Sequence, residues 1–211
     1  MKKVGVFISI PKCGSKTILE LYKLGKNRDN DKRDKTHPII YENHQRMIIL
    51  EKRYDLSDKF VFTFVRHPYG RVISWFNYHK YSKKKQHNEI YKNLTLNEWI
   101  EKGCPTHWVK QNSTEWEKEG LSPLLQYNFI ESNKGRKIDY IGRMETFEED
   151  NKKIINIINR IYEENKIDIE LEYEEMIENS SKKKETNLSD KSKEIIYELF
   201  NKDFEFFGYD P

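Results

Sequence analysis

The chain has 211 residues, enough for one α/β domain with a real core and short for two. Lys and Arg (38) nearly balance Asp and Glu (35), so the net charge of +3 creates no overall field pointing to nucleic acid, and no apolar run approaches a membrane span. Two cysteines, Cys13 and Cys104, without a CxxC or Cys/His cluster, exclude a disulfide framework and argue against structural zinc, so a reduced compartment is expected.

Met1-Lys2-Lys3 runs straight into the apolar stretch Val4 to Ile10 and leaves no room for a signal peptide. Pro11-Lys12-Cys13-Gly14-Ser15-Lys16-Thr17 breaks that stretch, and a helical pattern follows over about 17 to 24. A buried strand, a Gly-containing turn and a helix start aim backbone N–H groups and a positive dipole end at one point, which suits a phosphate or sulfate. Lys12, Ser15, Lys16 and Thr17 add side-chain donors to this nest. A Walker A loop needs Gly-Lys-Ser/Thr. Here Ser15 separates Gly14 from Lys16 and position 9 is Ser, which weakens a nucleoside-triphosphate reading.

The pattern predicts a helix over 42 to 54, then a second continuous apolar run, Phe60 to Val65. Both apolar runs read as central strands of a parallel sheet. Arg66 stands at the carboxyl end of the second, and Pro68 is preset for the first turn of a helix over 68 to 81. In that helix Tyr69, Val72, Ile73 and Phe76 form the expected buried stripe. Arg71, Ser74 and Tyr78 share a neighbouring face, so Ser74 and Arg66 are expected to converge on one anion.

Further helices are predicted over 95 to 102, 147 to 164 and 189 to 202, with a weaker strand at Ile138 to Gly142. The Lys/Asn-rich segments 25 to 36, 82 to 93 and 178 to 188 read as surface loops. Trp75, Tyr78, Trp99, Trp108 and Trp116 are mostly core candidates, with those in 99 to 127 also able to line a sugar cleft. The order β, α, α, β, α implies an α/β fold, P-loop-like and three-layered, with a mainly parallel central sheet flanked by helices.

Phe7 to Thr17 resembles the 5′-phosphosulfate loop of the sulfotransferases that use 3′-phosphoadenosine 5′-phosphosulfate (PAPS), written Ile-Pro-Lys-x-Gly-Gly/Ser-Thr/Lys-Ser/Thr. Phe64 to Ser74 resembles their 3′-phosphate motif, Val-Arg-Asn/Asp-Pro-x-x-Arg-x-x-Ser. Ile141 to Asp150 and Leu199 to Tyr209 are similar to stretches of the Golgi-type carbohydrate branch, so the resemblance touches most of the chain from 4 to 209. It implies one sulfotransferase domain over 1–211. The sulfuryl group would pass by in-line attack from PAPS to a hydroxyl, that of a carbohydrate or small molecule, leaving 3′-phosphoadenosine 5′-phosphate (PAP), without a required metal.

By that resemblance, the backbone of Cys13, Gly14, Ser15, Lys16 and Thr17, with the side chains of the last three, holds the 5′-phosphate, and Arg66 and Ser74 hold the 3′-phosphate. Lys12 faces the bridging oxygen where charge grows as sulfur departs. The branch carries a His or Glu base between the two motifs, often at a helix start. His44 takes that place, neutral beside a helix N-terminus, with Glu42, His37 and His107 as runners-up. Ser181, Lys182 and Lys183 precede the last helix, where related enzymes close a loop over the donor phosphates, and Glu145 is expected to orient Arg143 or the loop beneath it.

His67 departs from the usual Asn or Asp, and Ser15-Lys16 from Gly-Thr. Most members of the branch have a membrane anchor. Its lack here implies a trimmed chain or a soluble microbial or viral enzyme, cytoplasmic or otherwise soluble. Two other readings stand beside this one: a magnesium-dependent nucleotide or nucleoside kinase, and a non-catalytic nucleotide- or glycan-binding module on the same scaffold.

Overall fold

A computed structural model describes residues 2–24, 36–82, 89–106, 122–175 and 184–211. Two compact units emerge, Met1–Val65 with Phe129–Glu178 and Arg66–Asn128 with Asn179–Pro211. The first holds a sheet of four parallel strands, β1 (Gly5–Ile8), β2 (Ile39–Glu42), β3 (Phe60–Val65) and β4 (Tyr140–Arg143), in the order β2-β1-β3-β4. Gly5 stands level with Ile39 and Phe60, and Val65 with Arg143, so all four strands deliver their following loops to one edge of the sheet.

One sheet face is aromatic. Phe7 stacks on Phe62 and Tyr41 at 5.3 and 6.0 Å between ring centroids, and Tyr22, just past α1 (Ser15–Leu21), packs on Phe62 at 5.4 Å. The helix α5 (Phe147–Glu164) sets Phe147 against Phe64 at 5.3 Å, and its buried Asn151 accepts from the Tyr22 hydroxyl at 3.0 Å. The other face carries Val6, Ile8, Ile40, Val61, Thr63 and Val65, branched residues that suit a pleated surface, and the buried Thr63 hydroxyl donates to the Ile8 carbonyl at 2.7 Å. The chain is therefore an α/β fold with a central parallel sheet flanked by helices, as its two continuous apolar runs implied.

The predicted helix over 42–54 is corrected. Residues 39–42 form β2, and the helix α2 is the shorter Met47–Arg53. A four-residue strand ending on a charged Glu has no readable alternation. Only folding shows that Glu42, 2% exposed, is neutralised by Arg53 and accepts from the Tyr54 hydroxyl at 2.9 Å.

The second unit contains α3 (Pro68–Lys80), α4 (Leu96–Glu101) and α6 (Asp190–Phe207). Thr95 and Glu98 form a capping box that starts α4, and Gly208 in the left-handed region ends α6, which continues to Phe207 instead of stopping near 202. Trp75, Phe76, Tyr91 and Trp99 make the aromatic core, with the Trp75 indole N–H donating to the Tyr91 hydroxyl at 3.0 Å. Tyr91 is fully buried, so the expected surface loop over 82–93 is interrupted by a core residue. Trp108 and Trp116 lie outside the described residues. Among the described residues no helix is long and apolar enough to cross a membrane.

Candidate active site

The loop that leaves β1 is braced on one carbonyl. Ile10 C=O accepts from the Cys13 N–H at 3.3 Å and from the Ser15 hydroxyl at 3.2 Å, while Cys13 is buried with its thiol toward the Pro11 carbonyl at 3.8 Å. Cys13 and the Ser15 hydroxyl thus shape the turn from inside. The N–H groups of Ser15, Lys16 and Thr17 begin α1, where an α-helix gives them no partner of its own, and neither a capping side chain nor an acidic residue neutralises that first turn. Lys16 is exposed and Lys12 and Thr17 half-buried, so two cations flank the turn. Gly14 is required twice over: its φ is +73°, and a Cβ there would lie 2.8 Å from the Met144 sulfur and 3.1 Å from the Phe147 ring.

Met144 and Phe147 reach Gly14 because Asp150 organises the turn after β4. Its carboxylate accepts from the Tyr140 hydroxyl at 2.9 Å, the Arg143 N–H at 2.8 Å and the Thr146 hydroxyl at 2.7 Å. Asp150 therefore takes the Arg143 N–H. Burial pushes the Asp150 carboxyl up, but the donors Thr146, Arg143 and Tyr140, with Lys153 nearby, outweigh it and hold the carboxyl below the usual Asp range. The same contact raises the Tyr140 phenol, after burial, to about 12.

A depressed carboxyl stabilises the fold above its unfolded pKa, and this is lost as pH falls through the folded value. Asp150→Asn should therefore be less stable than the parent by about 1–3 kcal/mol at neutral pH, and the gap should close below about pH 4. Urea unfolding at several pH values checks this. A gap that is constant with pH would refute it.

His44 lies in the turn between β2 and α2, with φ +52°, two residues before the N-cap Arg46. It precedes the first turn of α2 instead of lying inside a helix that starts at residue 42. A contact with Ser9 sets its protonation pattern: Nδ1 stands 3.0 Å from the Ser9 carbonyl and 3.2 Å from the Ser9 hydroxyl. A carbonyl oxygen only accepts, so Nδ1 carries the proton and Nε2 is the basic nitrogen of the neutral ring. Ser9 is fully buried and its hydroxyl also meets the Ser15 hydroxyl at 3.0 Å, so one serine links His44 to the β1 loop.

Ser9 was not legible as a site residue, because it reads as one polar position inside an apolar run. Glu42 is buried in its Arg53 and Tyr54 contacts, and His37 is buried with Nδ1 accepting from the Ile39 N–H at 3.1 Å. Neither offers an accessible base. His107, Ser181, Lys182 and Lys183 lie outside the described residues.

In the second unit, Arg66 is half-buried and its side chain runs along α3. A Cβ on Gly70 would stand 3.1 Å from the Arg66 Nε, so the guanidinium end passes close over this glycine. Ser74 follows Gly70 by four residues, which places it on the same helical face one turn further on. Arg66 and Ser74 therefore share one face, and among the described residues no carboxylate pairs with the Arg66 guanidinium.

Arg71 does not join that face, contrary to expectation. It is 1% exposed, and its guanidinium donates to the Pro123 carbonyl at 2.8 Å and to the Leu124 carbonyl. Tyr69 and Ile73 are only half-buried, and Trp75 and His79 join Val72 and Phe76 in the buried set instead. The departure at His67 preserves the usual capping chemistry: Nδ1 accepts from the Tyr69 N–H at 3.3 Å at the start of α3, and Nε2 donates to the Asp210 carbonyl at 3.0 Å.

Among the described residues no group of three or more His, Cys, Asp or Glu side chains is arranged to hold a metal ion. Comparison with curated proteins gives no match. The Sulfotransferase family model matches residues 2–210, nearly the whole chain, with the braced β1 loop, the His44 turn and the Arg66–Ser74 face all inside the match; the protein belongs to the sulfotransferase family.

Proposed function

We propose that residues 1–211 act as one sulfotransferase domain that moves the sulfuryl group of PAPS to a hydroxyl, that of a carbohydrate, as in the Golgi-type carbohydrate branch. The observation that carries this reading is the Ser9 link, because it puts a His with a basic Nε2 next to an anion-ready loop. The backbone of residues 14–17, with Lys16 and Thr17, takes the 5′-phosphate, and Arg66 with Ser74 takes the 3′-phosphate. Ser181, Lys182 and Lys183 add contacts to the donor.

In the transfer, the acceptor oxygen forms its bond to sulfur as the bond from sulfur to the bridging oxygen breaks. The hydroxyl proton goes to His44 Nε2, and the negative charge left on the 5′-phosphate oxygen is met by Lys12. No step asks for a metal.

Calorimetric titration tests the donor assignment. The wild type should bind PAP about 10- to 100-fold more tightly than adenosine 5′-phosphate, the difference expected of a charge-assisted phosphate contact, and Arg66→Ala should erase most of it. Equal affinity of the wild type for both nucleotides would rule the reading out. Magnesium-dependent ATP turnover would favour a kinase instead.

A further inference from the structure

Arg66 stands just past the last ladder residue of β3, where a backbone leaving a sheet loses its hydrogen-bonding neighbours. Both of its backbone groups are met by one side chain. The Arg66 N–H donates to Gln126 Oε1 at 2.9 Å, and Gln126 Nε2 donates to the Arg66 carbonyl at 2.9 Å. A primary amide laid against a peptide in this way supplies the donor and acceptor that a neighbouring strand would.

Gln126 is itself fully buried and held. Its backbone N–H donates to Asp203 Oδ2 at 2.8 Å, its Nε2 reaches the same oxygen at 3.3 Å, and the Tyr127 N–H donates to Oδ1 at 2.8 Å. Asp203 is 1% exposed. Burial pushes its carboxyl above the usual range, while Arg71 and these donors pull the other way. Arg71 closes the opposite side of the turn through the Pro123 and Leu124 carbonyls.

A buried acid, a buried arginine and a buried amide thus converge on the turn 122–127, and the amide holds the backbone of Arg66. Burying opposite charges is a poor way to gain stability compared with apolar packing, so the arrangement is better explained by the geometry it imposes. His67 caps α3 immediately afterwards, which leaves the Arg66 backbone defined on both sides.

We infer that Gln126 is a positioning residue for Arg66: through the Arg66 backbone it sets the line along which the guanidinium leaves β3 and passes over Gly70, and so sets selectivity for a 3′-phosphorylated nucleotide. The inference rests on the proposal that Arg66 takes the 3′-phosphate. The guanidinium sits at the end of a long side chain, so a small rotation of the backbone displaces it by an amount that phosphate recognition does not tolerate.

Titrations with PAP and with adenosine 5′-phosphate on the wild type and Gln126→Met test this. The variant, close in volume, should lose about tenfold or more of its PAP affinity and less than about twofold of its adenosine 5′-phosphate affinity. A purely structural role would lower both together. An unchanged ratio of the two affinities, or an equal fall in both, overturns the inference.

If Gln126→Met does not fold, Gln126→Asn keeps the amide but holds it one methylene short. It should reduce the ratio partway, and an unchanged ratio there also overturns the inference. A wild type without preference for the 3′-phosphate would instead sink the Arg66 assignment itself.

Discussion

Replacing His44 with glutamine is expected to lower turnover by about 10²- to 10⁴-fold, the usual contribution of a positioned proton acceptor. PAP affinity should stay within about twofold, because the change removes a base and leaves the donor contacts in place. Glutamine keeps a polar group that can meet the Ser9 carbonyl, 3.0 Å from Nδ1 in the parent, so the turn should survive. Initial rates with a hydroxyl acceptor found by a radiolabelled sulfate screen, paired with PAP titration, make the measurement. Turnover within about tenfold of the parent would remove His44 from the reaction, and a matching loss of PAP affinity would recast it as a structural residue of the loop.

The second large effect is a pair of substitutions at Lys12 with separable outcomes. Lys12 has φ +67°, where a side chain costs about 1–2 kcal/mol and glycine costs nothing sterically. Lys12→Ala and Lys12→Gly both remove the charge proposed to meet the leaving oxygen, and each should lower turnover by about 10²- to 10³-fold. Their stabilities should diverge. Glycine relieves the strain and gives back about 0.5–1 kcal/mol through the freer unfolded chain, so Lys12→Gly should be at least as stable as the parent, whereas Lys12→Ala retains the strain. Urea unfolding beside the rate assay reads both. A Lys12→Gly protein that turns over normally and unfolds more easily would make Lys12 a turn residue and nothing more.

Among the described residues, five non-glycine residues have positive φ. Lys23 and Lys166 follow the C-caps of α1 and α5, where the left-handed region is the ordinary way for a helix to end, and Cys104 follows Gly103 beyond α4. Lys12 and His44 end no helix. Both lie in turns leaving parallel strands at one edge of the sheet, and Ser9 and Ser15 connect the two turns. Strained backbone held in place by its surroundings is a recurrent mark of a working site.

The sequence by itself determined the elements whose residues satisfy their own needs locally. Phe60 to Val65 is apolar on both faces and reads as a buried parallel strand; Pro68 marks the start of a helix; and the β1 loop and the Arg66 motif point to sulfuryl transfer through their resemblance to the sulfotransferases. What it left undetermined depends on partners distant in the chain. β2 was missed because Glu42 is tolerable in a strand only once Arg53 and Tyr54 cover it, and Arg71 was placed beside the buried stripe instead of in it because its acceptors lie some fifty residues away. The His44 tautomer and the Gln126 clamp on Arg66 belong to the same class. Each is a hydrogen bond between residues remote in sequence, and periodicity carries no record of such pairs until packing brings the two ends within about 3 Å.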